Sequence, residues 1–306
     1  MSRTPAASSS GWLVNALVTV VTWGIWGAFS GLPAEHGFPD TLVYVVWAFT
    51  MIPPALIVLA NSGWKLDRST AAIAYGLAIG LLGAGGQMVL FYAVTRGPAY
   101  LIFPIISLSP VVTILLSVLL LGERTGRLGM IGILVALIAL PMFDFVPGAG
   151  WGSGEAWLWP ALIVMLCWGV QAYFMKAANR VMSGESIFFY MMVTGLMLTP
   201  IAWAMTDFSK GINLGLHGPW LAAATQILNA IGALTLVFAF RYGKAIIVAP
   251  LTNAGGPLVT AIVSLIALGV LPGWLKAVGI VLALMASLLL AIEPDSEAKE
   301  AASEAS

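Results

Sequence analysis

The sequence predicts an all-α integral membrane protein with ten transmembrane helices arranged as an inverted repeat of five plus five. The first observation is composition: 60% of the 306 residues are apolar and only 8% are charged. Soluble domains carry about 25% charged residues, so the solvent around most of this chain is expected to be lipid. The other two observations are a series of long apolar runs and a match between the two halves of the chain.

Each predicted span follows from its length. A helix rises about 1.5 Å per residue, so about 20 apolar residues cross a hydrocarbon core of roughly 30 Å. Unpaired backbone amides are too costly in lipid for an irregular crossing, and the alternation of barrel strands does not occur in the sequence. The predicted spans are Trp12–Gly31, Thr41–Ala60, Ala72–Val94, Ala99–Leu121, Gly129–Phe145, Ala156–Ala177, Ser186–Met205, Pro219–Phe240, Ala245–Val270 and Gly273–Ile292.

The stretches outside the spans are short. The first apolar run, from Trp12, exceeds the 7–15 residues of a signal-peptide core, so we expect it to be retained as a span. The predicted division is a cytoplasmic tail at 1–11, a first five-helix repeat at 12–145, a Gly- and Pro-rich linker at 146–155, a second five-helix repeat at 156–292 and an acidic cytoplasmic tail at 293–306.

Orientation follows from the basic residues in the connections, because Lys and Arg are retained on the cytoplasmic side. With the amino terminus inside, the opposite side receives only Arg96, Lys210 and Lys276. We therefore expect a multi-pass protein of a bacterial-type inner (plasma) membrane with both termini in the cytoplasm. The basic residues on the cytoplasmic side are Arg3, Lys65, Arg68, Arg124, Arg127, Lys176, Arg180, Arg241, Lys244 and Lys299.

An internal repeat is visible at three adjoining offsets of 145, 146 and 147 residues. Because a half with an odd number of spans ends on the side opposite to its start, the second half must enter the membrane inverted. Many secondary transporters place a mid-membrane site between two such halves, and a duplicated scaffold without transport is the alternative. Matched pairs include Trp23/Trp168, Gly24/Gly169, Phe29/Phe174, Pro104/Pro250, Pro110/Pro257 and Thr113/Thr260.

The run Pro104-Ile-Ile-Ser-Leu-Ser-Pro-Val-Val-Thr lies in the fourth predicted span and is closed by Leu121-Gly122-Glu123-Arg124. With its counterpart in the ninth span and the early Trp-Gly pair of each half, it resembles the EamA-like branch of the drug/metabolite transporter superfamily over residues 12–292. The chain departs from that pattern at Gly269-Val270, where such families commonly carry Gly-Glu. A structural or gating role for a second acidic residue is therefore not expected.

The resemblance implies a secondary transporter that moves a small metabolite or drug by alternating access, often by efflux of amino acids and related compounds. Uptake of a sugar-like or nucleobase-like solute is the alternative. No carboxylate or basic residue lies clearly at mid-membrane, so a neutral or zwitterionic substrate is expected. Lys176, Arg241 and Lys244, near cytoplasmic span ends, are either topology determinants or substrate ligands.

Polar and aromatic side chains within the spans are the candidate substrate ligands, with interhelical packing as the alternative. Amides in lipid are costly unless they face a partner or a wet cavity, and aromatic rings suit a planar ligand. The same features mark Trp47 and Gln226, which are not assigned to the set. The predicted substrate-binding residues are Trp23, Trp26, Tyr44, Gln87, Ser107, Trp168, Gln171, Tyr173, Asn229, Thr252 and Asn253.

Prolines inside the fourth and ninth spans predict helix breaks. Proline lacks the amide donor and clashes with the preceding turn, so these helices should be kinked or locally unwound; static kinks that help packing are the alternative. The glycines of the third span, from Gly76 to Gly86, are expected mainly to let helices approach closely. The predicted breaks or gating positions are Pro104, Pro110, Pro250, Gly255, Gly256 and Pro257.

Other functional classes lack the residues that they need. His36 and His217 fall in predicted outer loops, and neither a GxSxG nor a His-x-x-x-His pattern occurs, so no enzyme activity, metal site or cofactor is predicted. A channel would need a continuous polar pathway. Because 13 basic residues balance 13 acidic ones, no nucleic-acid partner is expected. The predicted partners are a small-molecule substrate and the lipid bilayer, with a monomer expected and an oligomer as the alternative.

Overall fold

The computed structural model describes residues 11–121, 126–144, 155–178, 181–242 and 245–292. Within these ranges every regular element is helical. Both predicted tails and the predicted linker lie almost entirely outside the described residues, as do Gly122, Glu123 and Arg124. The helices are α1 (Gly11–Phe29), α2 (Leu32–Glu35), α3 (Asp40–Thr50), α4 (Ile52–Asn61), α5 (Thr70–Val94), α6 (Ala99–Ile106), α7 (Ser109–Leu121), α8 (Arg127–Asp144), α9 (Leu158–Ala178), α10 (Gly184–Met197), α11 (Thr199–Ala204), α12 (Leu221–Tyr242, preceded by a π-helical turn at Leu216–Trp220), α13 (Ala245–Leu268) and α14 (Trp274–Ala291).

Eight helical stretches of the described chain are long and apolar enough to cross a membrane. Two further apolar helices, Arg127–Phe143 and Trp274–Leu290, are shorter. The chain is therefore a helical, multi-pass membrane protein. The eight stretches are Gly11–Glu35, Asp40–Asn61, Thr70–Val94, Ala99–Leu120, Leu158–Met175, Gly184–Ala204, Leu216–Leu236 and Leu251–Leu268.

The outer surface of the helices is apolar, as lipid requires. Leu119 and Ile266 are each 76% exposed, and Leu271 is 92% exposed. A water-soluble monomer rarely exposes apolar surface on this scale, because such patches drive association. The exposed leucines and isoleucines are consistent with helices whose outer faces contact lipid.

Two of the membrane-crossing stretches are divided at equivalent places. α3 gives way to α4 at Met51, and α10 gives way to α11 at Leu198. Pro53 and Pro200 occupy the first turn of the following helix in each case, where a missing amide donor costs least. The two prolines are 147 residues apart, which is the offset of the repeat. The sequence prediction had both spans as single helices.

The expected break in the fourth span is present, whereas the ninth span is not unwound. α6 ends at Ile106 and α7 starts at Ser109, with Pro104 inside α6 and Pro110 in the first turn of α7. By contrast, α13 runs from Ala245 to Leu268 as one helix through its two prolines. α13 stays helical although its two prolines lack an amide donor, so local unwinding does not free backbone carbonyls there.

Helix packing follows the same pattern in both halves. α1 packs most extensively on α12 and α13, while α9 packs on α5 and α7, and α8 packs along α14. Glycines permit the closest approaches: an added Cβ at Gly169 would lie 2.6 Å from the Ser109 carbonyl oxygen, and Gly24 is crowded by Val259. The two central helices α1 and α9 therefore each touch the opposite half of the chain.

Candidate substrate site

Three tryptophans from two helices converge on one face of α12. Trp26 Nε1 donates to Gln226 Oε1 at 2.8 Å, and Trp47 Nε1 donates to Asn229 Oδ1 at 3.1 Å. Trp23 Nε1 donates to the Asn229 carbonyl oxygen at 3.2 Å. Gln226 and Asn229 are three residues apart, so their side chains lie on the same face of the helix. We call these five residues the amide–indole cluster.

The amide–indole cluster lies between several helices. α1 supplies Trp23 and Trp26, α3 supplies Trp47, and the Trp26 ring meets Phe103 of α6 edge-on at 5.7 Å between centroids. Trp26 is 4% exposed and Gln226 is fully buried. The cluster is therefore a buried polar strip with aromatic walls, which is the composition typical of small-molecule sites.

A related arrangement occurs where α9 meets α5. Gln171 Nε2 donates to the Ile79 carbonyl oxygen at 3.0 Å, and Trp168 Nε1 lies 3.4 Å from the Gly83 carbonyl oxygen. A Cβ at Gly86 would lie 2.6 Å from Trp168 Nε1. The third-span glycines thus open the α5 backbone to the side chains of α9, in agreement with the packing role expected of them.

Four other predicted ligands form contacts of their own. Tyr44 is fully buried and its hydroxyl donates to the Gly195 carbonyl oxygen at 3.0 Å. Ser107 Oγ donates to the Pro104 carbonyl oxygen at 2.7 Å, and Thr252 Oγ1 donates to the Val248 carbonyl oxygen within α13. Tyr173 is half-buried beside the Phe174 ring. Among the described residues, Tyr44, Ser107 and Tyr173 make no hydrogen bond to the amide–indole cluster.

Gln87 and Asn253 complete the predicted set. Gln87 is 4% exposed, and its Nε2 donates to no described residue. Asn253 is exposed, and its carbonyl oxygen lies 3.5 Å from Ser287 Oγ. Of the predicted break positions in α13, Gly255 packs near Val20 of α1 and Gly256 is buried. These two glycines serve helix contact rather than a break.

A polar contact joins the two halves at the α4–α5 connection. Asp67 Oδ2 accepts from the Ser183 backbone N–H at 2.8 Å and from the Ser183 and Ser186 hydroxyls at 2.9 Å. These hydrogen bonds hold the pKa of the Asp67 carboxyl below its usual value, because they favour the ionised form. Tyr190 Oη donates to the Asp67 carbonyl oxygen at 2.8 Å. We call this group the Asp67 contact.

A second contact joins the halves at the connection between α2 and α3. The Asn213 backbone N–H donates to the Gly37 carbonyl oxygen at 3.0 Å, and Asn213 Nδ2 donates to the His36 carbonyl oxygen at 2.9 Å. The His36 and His217 rings stack at 5.2 Å between centroids. We call this group the Asn213 contact. Each half is thereby tied to the other through two different loops.

A cavity of about 480 Å³ lies near the start of α3 and the end of α5. Its walls include the charged residues Glu35, Asp40 and Arg96 together with Tyr92. The Arg96 guanidinium stands 3.5 Å over the Tyr92 ring. This cavity lies at span ends, apart from the residues of the amide–indole cluster.

Sequence reasoning missed several of these residues. Trp47 and Gln226 were left out of the predicted set although the same criterion, a polar tip within an apolar span, marks them. Pro53 and Pro200 carried a findable signal, their 147-residue offset. The Asp67 contact had no signal in the sequence, because its partners lie 116 and 119 residues away.

Comparisons with known proteins agree with this fold. The profile of the EamA-like transporter family matches residues 10–143 and again 155–292. The uncharacterized protein MJ1333.1 of Methanocaldococcus jannaschii is 25% identical over 128 residues, which cover 42% of this chain and 92% of that protein. A crystal structure superimposes with a TM-score of 0.61 at 18% identity, covering 92% of this chain and 98% of that one, and shows the fold alone. Because the profile matches nearly the whole chain, this protein belongs to the EamA-like transporter family, within the drug/metabolite transporter superfamily.

Proposed function

We propose that this chain is a ten-helix secondary carrier that moves a small neutral or zwitterionic metabolite or drug by alternating access. The proposed direction is efflux, and the proposed substrates are amino-acid-like compounds. Family membership establishes a membrane transporter of the drug/metabolite transporter kind. The proposal adds the inverted arrangement, the mechanism, the class of substrate and action as a monomer.

The observation that carries the inverted repeat is a pair of matched hydrogen bonds between the halves. Thr260 Oγ1 donates to the Gly24 carbonyl oxygen at 3.0 Å, and Thr113 Oγ1 donates to the Gly169 carbonyl oxygen at 2.9 Å. The threonines are 147 residues apart and the glycines 145. One rotation that exchanges the halves accounts for both bonds. With five crossings in each half, the second half would enter the membrane inverted, as in many secondary transporters.

The Asp67 contact supports a membrane crossing by the short helix α8. Asp67 and Ser183 touch, so they lie on the same side of the membrane and an even number of crossings separates them. α5, the α6–α7 pair and α9 supply three crossings, and α8 supplies the fourth. α14 runs beside α8 along its length, since Gly279 faces Met142 and Leu290 faces Gly132. Ten crossings result when both short helices are counted.

Alternating access requires that the halves separate at each face in turn. The Asp67 contact and the Asn213 contact both join the halves, and the crossing count puts them on opposite faces. We assign the Asp67 contact to the cytoplasmic face because basic residues, including Lys65 and Arg68, concentrate there. Each contact would open in one of the two access states and re-form in the other.

The absence of deep charges favours the proposed substrate class. α1 and α6 contain no ionisable residue that carries charge at neutral pH, α3 has only Asp40 at its first position, and α12 has only Arg241 near its end. A charged ligand group would lie far from a counter-ion and would lose its hydration at high cost. A neutral or internally compensated molecule avoids that cost.

The experiment is solute flux into proteoliposomes that contain the purified protein. We expect faster movement of a neutral or zwitterionic solute, from a panel of amino acids, sugars and nucleobases, than in protein-free vesicles. Gly24→Leu, which crowds α1 against Val259, should abolish the movement, and Gly85→Ala, a position with open space, should preserve it. Flux restricted to ions, or equal flux in protein-free vesicles for every solute, would sink the proposal.

A further inference from the structure

The amides of Gln226 and Asn229 are held in one orientation by tryptophans. An indole N–H can only donate, so the amide atom that faces it must be the oxygen. Trp26 fixes Gln226 in this way, and Trp47 fixes Asn229. The two amide nitrogens therefore point away from the indoles that bind their oxygens, and amide rotation would break both hydrogen bonds.

These two amide nitrogens donate to no described residue. Gln226 is fully buried, and its Nε2 has no hydrogen-bond partner among the described residues. Asn229 Nδ2 makes no hydrogen bond in the described part of the chain, while its oxygen and its backbone carbonyl both accept. A buried donor without an acceptor is costly, and a bound ligand or water that supplies the acceptor removes that cost.

We propose that the N–H groups of Gln226 and Asn229 form a donor site for an uncharged ligand that presents a carbonyl or similar oxygen beside an apolar group. This inference rests on the proposed carrier function and narrows its substrate class from neutral or zwitterionic compounds to uncharged ones, so a zwitterionic amino acid with a free carboxylate is left out. Two donors one helical turn apart match one oxygen that accepts twice, or two neighbouring oxygens.

Charge decides between an uncharged acceptor and a carboxylate. Both would accept hydrogen bonds, but a carboxylate also needs compensation for its lost hydration. The helices that form the amide–indole cluster offer no basic residue beside it, because Arg241 lies twelve or more residues further along α12. A cation would meet two donors and no acceptor from these amides. The site thus selects an uncharged acceptor.

The test uses three benzene derivatives of similar size with purified protein in detergent. N,N-dimethylbenzamide carries an uncharged carbonyl, benzoate carries a carboxylate, and cumene carries neither. We expect saturable quenching of tryptophan fluorescence by N,N-dimethylbenzamide at concentrations where the other two have little effect. A site that hydrogen-bonds its ligand rejects an analogue without the bonding group.

Variants then separate the donor site from simple aromatic contact. Gln226→Met and Asn229→Leu should each weaken N,N-dimethylbenzamide binding by about tenfold, the loss expected for one buried hydrogen bond. Thr225→Val is the matched control, because Thr225 is buried beside Gln226 and bonds within its own helix. Gel filtration identifies any variant that fails to fold, and the two amide variants test the site independently.

Several results would overturn the donor site. They are equal binding of N,N-dimethylbenzamide by the wild type and both amide variants, preference for benzoate or cumene, or no saturable binding to the wild type. If vesicles show solute flux but the variants bind N,N-dimethylbenzamide as the wild type does, the donor site is refuted while the proposed carrier function stands. If binding depends on the Gln226 and Asn229 side chains but no solute flux occurs, the donor site stands and the proposed carrier function is refuted.

Discussion

Gly86 lies where α5 meets the Trp168 indole of α9, and the structure predicts that a single methyl group there is destabilising. An added Cβ would lie 2.6 Å from Trp168 Nε1 and 2.8 Å from Cδ1. Carbon atoms prefer a separation of about 3.5–4.0 Å, so the indole must move by roughly 1 Å. Overpacking of this kind costs about 1–3 kcal/mol. The contact between Trp168 Nε1 and the Gly83 carbonyl oxygen, already 3.4 Å, would be lost as well.

Gly85 supplies the matched control for Gly86→Ala. A Cβ at Gly85 meets nothing within 4 Å, although the two glycines are adjacent in α5. Both variants are unfolded with SDS in mixed micelles, and circular dichroism follows the loss of helix. The unfolding free energy of Gly85→Ala should equal that of the wild type or be slightly higher. Gly86→Ala should lose about 1–3 kcal/mol. Equal stability of the two alanine variants would refute the α5–α9 geometry.

Three further predictions concern polar contacts. Thr113→Val and Thr260→Val should each lower the unfolding free energy by about 0.5–1.5 kcal/mol, because each removes one hydrogen bond to a glycine carbonyl of the opposite half. A large effect for only one of them would contradict the symmetry between the halves. Tyr44→Phe should cost about 1–3 kcal/mol, measured in the same assay, because the Gly195 carbonyl loses a buried donor; no change would contradict that contact. Asp67→Asn should be less stable than the wild type at neutral pH. Since the folded-state pKa of Asp67 is lowered, its contribution is present above the unfolded value of 3.8 and declines as pH falls through the folded pKa. In thermal unfolding, the stability difference between the wild type and Asp67→Asn should therefore shrink from pH 7 to pH 3. A difference that stays constant with pH would show that the Asp67 carboxylate is not its source.

The sequence predicted the helical membrane architecture because apolar length is a local property that lipid imposes directly. It also predicted the break beside Ser107, since proline chemistry acts within one turn. For α13 the sequence predicted a kink or local unwinding, and the structure shows a continuous helix: proline removes one donor but does not decide whether neighbouring helices hold the turn together. Here α13 stays helical while α1 packs on it at Gly255.

The candidate site was predictable only in part. Trp23, Trp26 and Asn229 were named from residue type and depth, and the structure brings them together. Which indole meets which amide depends on the rotation of α12 relative to α1 and α3, and the nearly uniform apolar surface of these helices hides that rotation in the sequence. The Asp67 contact is a long-range pairing of loops, for which the sequence has no periodic signal.

The most direct test of the account is whether the two loop contacts must open in turn during transport. In a Cys167→Ser background, one protein carries Asp67→Cys with Ser183→Cys and another carries His36→Cys with Asn213→Cys. We expect each disulfide, once formed, to stop solute flux in proteoliposomes and a reductant to restore it. Full flux with either disulfide closed would contradict alternating access between the two halves.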